Sequence, residues 1–403
     1  MNSRRRFIGQ VATGLAGTIA SPVSVLGANS RIRLGIIGPG DRGMQLMREA
    51  ARCRGVEFAG VADVYTRRLE AAKELAPAAR TYTDYRGLLD DQSIDAVIIA
   101  TPQHLHAEHF VAALDAGKHV YQEKTMAFTL EHAKRMRAAF QRARRVVQVG
   151  HQACSSGQIV DATAYATAAN LGKVTAINAF MYRNTPRGKP QWSRPVFPDM
   201  TPENIAWNAF LGEAPKVPFD ANRYINWRFF WDYSGGNFYE NMCHQLAFWY
   251  KALNLEIPGA VTTRGGIYVW KDGREVPDTM SVAMEHREEL LFSWISGFGN
   301  NQPGVSEDVL GTDGTLSNTK GGIIRYEPQK VNRPQAAEMV GRTRVANPTL
   351  AHLENFFGCI RTGKEPNCPF ELGYRVSIAA RMAVDSYRGG RTLKWNAETE
   401  EIV

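Results

Sequence analysis

The sequence predicts an α/β protein, with a doubly wound parallel sheet first and an α+β domain after it. Three observations carry that expectation. A short apolar run, Ile32 to Ile37, ends in Gly38-Pro39-Gly40-Asp41-Arg42-Gly43 and gives way to a helical stretch, Met44 to Cys53. A second apolar run, Val56 to Ala62, ends in Asp63, 20 residues beyond Gly43. Strand-like and helix-like segments then alternate to about residue 152, the pattern of a parallel sheet covered by helices on both faces.

The chain begins with Ser3-Arg4-Arg5-Arg6-Phe7-Ile8-Gly9, followed by the uncharged and weakly apolar Val11 to Ala20. This matches a twin-arginine export signal, so residues 1–30 are expected to be a leader and the protein to be periplasmic. Twin-arginine export moves folded proteins, which implies that any cofactor travels tightly bound. A length of 403 residues suits two or three domains, and 44% hydrophobic with 22% charged residues is ordinary for a globular chain. No run approaches the roughly 20 apolar residues of a membrane span. The net charge of +8 falls to +5 once the three leader arginines are removed, and no domain-sized basic stripe points to nucleic acid. Lys134 to Arg145, the densest basic run, reads as a solvated helix face. Five cysteines match no zinc or redox spacing and no disulfide framework.

Each glycine of the 38–43 pattern has a reason. Gly38 permits a tight turn, Gly40 lets backbone approach a pyrophosphate, and Gly43 allows close helix–strand packing. The helix N-terminus that follows offers free N–H groups and a favourable dipole to phosphates. Asp63 stands where a carboxylate meets the adenosine ribose hydroxyls, which favours NAD over NADP, although Arg67 and Arg68 offset part of that preference. Ala96 to Ala100 is a buried strand leading into Thr101-Pro102-Gln103-His104-Leu105-His106, and a helix from Glu108 to Ala116 ends at Gly117. His119 to Gln122 leads into Glu123-Lys124-Thr125, and Val146 to Val149 into Gly150-His151-Gln152. Ligands bind at the carboxyl ends of such strands, where Thr101, His104, Lys124 and His151 fall.

Together these segments resemble the glucose–fructose oxidoreductase, inositol dehydrogenase and rhizopine-catabolism family (Gfo/Idh/MocA). The resemblance continues through Trp231-Asp232-Tyr233-Ser234-Gly235-Gly236 to Glu240 and His244, and closes on Gly390-Arg391-Thr392-Leu393-Lys394-Trp395-Asn396. It implies a Rossmann domain over 31–152 and, over 153–403, an α+β domain with an open, mostly antiparallel sheet that also serves oligomer contacts. Helices within 348–388 are expected to pack back on the Rossmann domain. Val174 to Tyr182, Thr262 to Trp270, Met280 to His286 and Leu290 to Ile295 read independently as strands, with Lys271-Asp272-Gly273 as a turn. Arg183 to Asn226 reads as a long loop carrying substrate contacts.

The resemblance implies tightly bound NAD and a carbohydrate substrate, with Lys124, Glu240 and His244 catalytic. Oxidising an alcohol needs a base for the hydroxyl proton and a cation for the developing alkoxide. The imidazole of His244 suits the first and Lys124 the second, while Glu240, four residues before His244, shares its helix face. Gly38, Gly40, Asp41, Arg42, Gly43, Asp63, Thr101, Pro102, His104, Glu123 and Gln152 are the expected cofactor contacts. Three departures mark this chain: Thr125 replaces the proline usual after the lysine, Met242 a glycine, and Ala247 a second acid. The aromatics Trp192, Trp207, Trp227, Phe229, Phe230, Trp231 and Tyr233 suit sugar stacking and a packed core equally, and Arg183, Arg187, Arg223 and Arg228 suit an acidic sugar or a phosphate. His104, His106 and His109 are spaced poorly for one metal, and none is expected. The leading expectation is a sugar, polyol or glycoside oxidoreductase acting as a dimer or tetramer. An NAD-dependent glycoside hydrolase or lyase is the alternative, and a non-catalytic sugar sensor the third.

Overall fold

The computed structural model describes residues 31–319 and 322–403, so the expected leader lies outside the described residues. The first half alternates strictly: β1 (Ile32–Ile37), α1 (Asp41–Ala50), β2 (Val56–Ala62), α2 (Thr66–Leu75), β3 (Arg80–Tyr82), α3 (Tyr85–Asp90), β4 (Ala96–Ile99), α4 (His106–Asp115), β5 (His119–Gln122), α5 (Leu130–Ala143) and β6 (Val147–Val149). Its six strands are parallel, in the order β3-β2-β1-β4-β5-β6. The order reverses between β1 and β4, which opens a crevice at their carboxyl ends. Both faces of β1 and β4 are covered, which is why these strands read as continuous apolar runs.

The second half continues with α6 (Gly157–Tyr165), α7 (Ala168–Leu171), β7 (Val174–Tyr182), α8 (Trp207–Leu211), α9 (Ala221–Ile225), α10 (Cys243–Leu253), β8 (Ala260–Gly266), β9 (Thr279–His286), β10 (Leu290–Gly297), β11 (Val305–Gly311), β12 (Gly314–Thr319), β13 (Ile323–Pro328), β14 (Met339–Val340), α11 (Pro348–Thr362), α12 (Phe370–Gly389), β15 (Leu393–Asn396) and β16 (Glu401–Ile402). Ten strands form one sheet, antiparallel throughout except where β7 runs parallel to β10. Burial alternates along β9 and β10, so one face is packed and the other is partly open. The packed face carries α10 and α12, and α12 also contacts α5 and β6 of the first half. Leu353, Phe356, Phe357 and Ile360 of α11 share a core with Leu34, Ile36, Leu46 and Ile98, which docks this late helix on the first sheet.

Two segments depart from the sequence reading. The strand expected over Thr262 to Trp270 ends at Gly266, because the buried Asp278 carboxylate accepts from the backbone N–H groups of Tyr268, Val269 and Trp270 at 3.0, 2.9 and 2.8 Å and curls them out of the ladder. The long segment after Arg183 contains two short helices and a core of its own, in which Phe210, Tyr224, Phe229 and Tyr233 gather around Tyr65 of the first half.

Candidate active site

The glycine loop between β1 and α1 is built as its sequence requires. Gly38 has φ +87°, and its N–H donates to Ala62 O of β2 at 2.9 Å. A Cβ at Gly43 would lie 2.2 Å from the Gly38 carbonyl oxygen, so only glycine lets α1 start this close to β1. The loop opens on a cavity of about 770 Å³ lined by Gly38, Gly40, Asp41, Arg42, Asp63, Arg68, Thr101 and Pro102, among others. Gly43, expected as a cofactor contact, is buried in α1 against the loop backbone and does not line the cavity. Asp63, at the end of β2, accepts from Tyr65 N at 2.9 Å, and burial raises its pKa against the pull of Arg68, 3.8 Å away. Arg67 turns outward to Asp199 and Phe197. The N–H groups at α1, the buried acid at the strand end and the cavity that both line fit a dinucleotide.

The expected substrate loop mostly roofs this cavity instead. Arg194, Phe197, Phe210, Tyr224 and Ile225 line it from above. The roof is tied down where Ala206 N donates to Val64 O at 2.8 Å, Thr66 N donates to Asn204 O at 3.1 Å, and Arg194 pairs with Asp41 at 3.1 Å. Of the aromatics named above, Phe229, Phe230 and Tyr233 are buried in the roof's own core, whereas Trp227 faces the cavity.

A second cavity of about 240 Å³ adjoins the first, and the two share Arg42, Ala100, Thr101, Trp227 and Arg228. Its other walls are Gln103, Glu123, Lys124, Gln152, Glu240 and His244. Lys124 donates to Glu240 Oε2 at 3.0 Å, Arg228 pairs with the same oxygen at 3.2 Å, and Gln103 Nε2 donates to Glu240 Oε1 at 2.7 Å. Burial alone would raise the Glu240 pKa, but Arg228 and Lys124 overcome it and hold the acid down at about 2. Glu240 lies in a π-turn, Phe238–Met242, that runs directly into α10, and such insertions often mark functional sites. From Tyr233 to Tyr250 every residue is buried except His244, whose ring keeps access to the cavity. Burial, then the charges of Lys124 and the neighbouring His151, push its pKa well below the ordinary value, so His244 is neutral near pH 7.

The substituted Thr125 pins the strand end after Lys124: its hydroxyl donates to Tyr239 O at 2.8 Å, and its carbonyl faces His106 Nδ1 at 2.8 Å. His106 Nε2 lies 2.9 Å from Thr101 O, so the ring sits between two strand-end carbonyls, and as a neutral ring it donates to one of them.

Among the expected cofactor contacts, His104 is turned away from both cavities. Its Nε2 donates to Phe210 O at 2.7 Å, its ring packs on Phe210 and Tyr233, and burial drops its pKa to about 3. The histidines at 104, 106 and 109 diverge to separate partners, Phe210, the Thr101 and Thr125 carbonyls, and the Thr101 hydroxyl. Glu123 accepts from Arg42 Nε at 2.9 Å, and a Cβ at Gly150 would crowd it at 2.7 Å. Gln152 lines the inner cavity with its side-chain oxygen unpartnered. Gln103 was missed by sequence reasoning, although it sits beside Thr101-Pro102 at a strand's carboxyl end. Besides holding Glu240 it accepts from Gly235 N at 3.1 Å, fixing the Ser-Gly-Gly turn against the first domain.

Two family models match the chain: an oxidoreductase family NAD-binding Rossmann fold over residues 32–151, and an oxidoreductase family C-terminal alpha/beta domain over residues 214–395. The chain is 34% identical over 151 residues to a 1-carboxy-3-chloro-3,4-dihydroxycyclohexa-1,5-diene dehydrogenase of Comamonas testosteroni, covering 38% of each chain. It is 37% identical over 122 residues to an inositol 2-dehydrogenase of Salmonella typhimurium, covering 30% of this chain and 36% of that one. A glycosyl hydrolase family 109 protein of Shewanella baltica is 33% identical over 131 residues, covering 30% and 27%. The alignments thus span well under half the length of these relatives. In fold, the chain is similar to an aldose-aldose oxidoreductase from Caulobacter crescentus complexed with glycerol (TM-score 0.69, 20% identity, covering 90% of this chain and 99% of the other). It is likewise similar to a levoglucosan dehydrogenase complexed with NADH and levoglucosan (TM-score 0.70, 18% identity, covering 91% and 99%).

Proposed function

Because the chain belongs to the Gfo/Idh/MocA family of oxidoreductases, with an NAD-binding Rossmann domain at its N-terminal end, we propose that it oxidises a secondary hydroxyl of a sugar, polyol or glycoside. The observation that carries this reading is the meeting of Lys124, Glu240 and His244 in a small cavity that shares a wall with the dinucleotide-sized one. A nicotinamide held at the wall the two cavities share would supply the acceptor for a hydride from the substrate carbon. Neutral His244 accepts the hydroxyl proton at a ring nitrogen, since it enters the reaction with a lone pair free. Lys124 donates to the oxygen on which negative charge builds, and Glu240 holds the ammonium in place. Asp63 receives the ribose hydroxyls, and the α1 N-terminus the pyrophosphate. His104 is a packing residue in this reading.

The roof favours a cofactor that stays bound, which suits the expected export as a folded protein. It also lends weight to the second reading, a redox-neutral glycoside hydrolase or lyase in which the sugar is oxidised, loses its aglycone by elimination and is reduced again. The similarity to a glycosyl hydrolase family 109 protein supports the same option. The test is to purify the exported protein, identify its released nucleotide, and add free sugars and p-nitrophenyl glycosides. Bound nucleotide that becomes and stays reduced supports the dehydrogenase. Steady nitrophenol release without net reduction supports the redox-neutral enzyme. A protein that neither contains nor binds a nicotinamide nucleotide ends both.

A further inference from the structure

Five arginines line the large cavity, and four of them are committed to carboxylates outside the start of α1. Arg42 pairs with Glu123 at 2.9 Å, Arg68 with Asp63 at 3.8 Å, Arg86 with Glu108 at 2.9 Å, and Arg228 with Glu240 at 3.2 Å. The fifth, Arg194, comes from the roof and meets Asp41, the first residue of α1. Its Nε and Nη2 both donate to the one oxygen Oδ2, at 3.2 and 3.1 Å, and its Nη1 has no partner among the described residues.

That pair is weak where it stands. The Arg194 and Asp41 side chains are 56% and 86% exposed, so water screens their attraction. A phosphate offers the same guanidinium two parallel N–H···O bonds, a stronger arrangement than two donors on one oxygen. The place is right as well. Gly38, Gly40, Asp41 and Arg194 line one cavity, so the guanidinium stands at the end where the free N–H groups of α1 begin.

The backbone of Arg194 is fixed although the segment around it has no periodicity. Asn226, only 4% exposed, accepts from Arg194 N at 2.7 Å and donates to Arg194 O at 3.1 Å, and its amide nitrogen also donates to Asn222 Oδ1 at 2.8 Å. A buried side chain thus spends both its ends on one loop residue. The exposed side chain of Arg194 adds nothing to the roof's apolar core, so the clamp is explained by where it delivers the guanidinium. With the main chain held, moving from Asp41 to a phosphate takes side-chain rotation alone.

We propose that Arg194 is a ligand of the dinucleotide's pyrophosphate, supplied across the cavity by the second half of the chain and exchanged from Asp41 when the cofactor binds. Asn226 is its positioning residue. The inference rests on the reading of this cavity as the NAD site and deepens it, since the roof then holds the cofactor by charge as well as by cover.

The experiment titrates NAD, ADP-ribose and adenosine into the full chain freed of nucleotide, in the wild type, Arg194→Gln, Arg194→Lys and Asp41→Asn. Arg194→Gln is expected to weaken NAD and ADP-ribose about 10- to 100-fold, the range of one charge-assisted contact, and to leave adenosine, which has no phosphate, as in the wild type. Arg194→Lys should keep part of the affinity, and the wild type should lose NAD with added salt more steeply than Arg194→Gln. Asp41→Asn should bind NAD more tightly, because it frees the guanidinium and removes a negative charge beside the phosphates. A mere tie between roof and helix predicts weaker NAD binding in both Arg194→Gln and Asp41→Asn, and that result overturns the inference. So does an Arg194→Gln protein that binds NAD as the wild type does, or one that loses adenosine in the same proportion as NAD. In each of those cases the wild type still binds NAD and the cofactor reading stands. A wild type that binds none of the three overturns both.

Discussion

His244 is the residue on which the chemistry turns, and its environment fixes its pH behaviour. Burial, Lys124 and His151 hold its pKa below the ordinary histidine value, so the ring is already deprotonated at neutrality and stays so as the medium becomes mildly acidic. The expected kcat/KM profile is flat on its acid side between about pH 6 and 8, and an inflection near pH 6.5 would show an unperturbed base. His244→Asn is expected to lower kcat by about 10²- to 10⁴-fold while the bound nucleotide remains, read as absorbance of the purified variant. Loss of nucleotide together with activity would mean a structural ring. Asp63 tests the other end of the cavity. Its carboxylate is buried at the cavity wall with Arg68 3.8 Å away. Asp63→Ser removes the acceptor for the ribose hydroxyls and releases Arg68, so the preference for NAD over NADP should fall by about 10- to 100-fold in competitive loading. An unchanged ratio would place the adenosine ribose elsewhere.

The β1–loop–α1 unit was legible in the sequence because its constraints are local. A tight turn and a close packing of helix on strand each demand glycine at a fixed offset, and the structure shows both, at Gly38 and Gly43. Gly43→Ala is the corresponding prediction. The new methyl would meet a backbone carbonyl at 2.2 Å, which cannot step aside like a side chain. The variant should purify without nucleotide and bind added NAD at least tenfold more weakly, about the cost of a modest backbone shift at this contact. Elements defined by distant partners were harder to read. Ile267 to Trp270 has strand-like composition, but Asp278 takes its N–H groups. Arg183 to Asn226 has no periodicity, so nothing local shows that its aromatics close around Tyr65 and cover the cofactor cavity rather than the inner one. His104 stood at a strand end among cavity residues, and only the position of Phe210, more than a hundred residues on, turns it inward. Gln103 drew no notice for the same reason, since its partners Gly235 and Glu240 belong to the other domain.

Across the whole molecule, the histidines make acid the condition under which this fold weakens. The chain has nine, and burial lowers the pKa of every one. His104, His109 and His151 fall to about 3, and His119, His286 and His352 to about 4. Above pH 6.5 these rings are neutral in both the folded and the unfolded chain and do not affect the balance. Below it the unfolded chain takes up protons that the folded chain refuses, so stability falls with pH until the folded values are reached. Each such histidine removes up to about 1.4 kcal/mol per pH unit. Glu307 acts in the opposite sense, because burial lifts its pKa to about 7 and the folded chain keeps its proton between that value and the ordinary carboxylate range. Asp63, whose pKa burial also raises, acts in the same sense, so two groups stand against nine. Glu240, held near 2, adds its loss only below the ordinary carboxylate pKa. The urea midpoint is therefore expected to drop steeply between pH 7.5 and 5.5, whereas catalysis at pH 6 in the absence of urea stays intact. A midpoint that holds or rises over that interval would show that these rings accept protons in the folded state, and His244 would then need another cause for its neutrality.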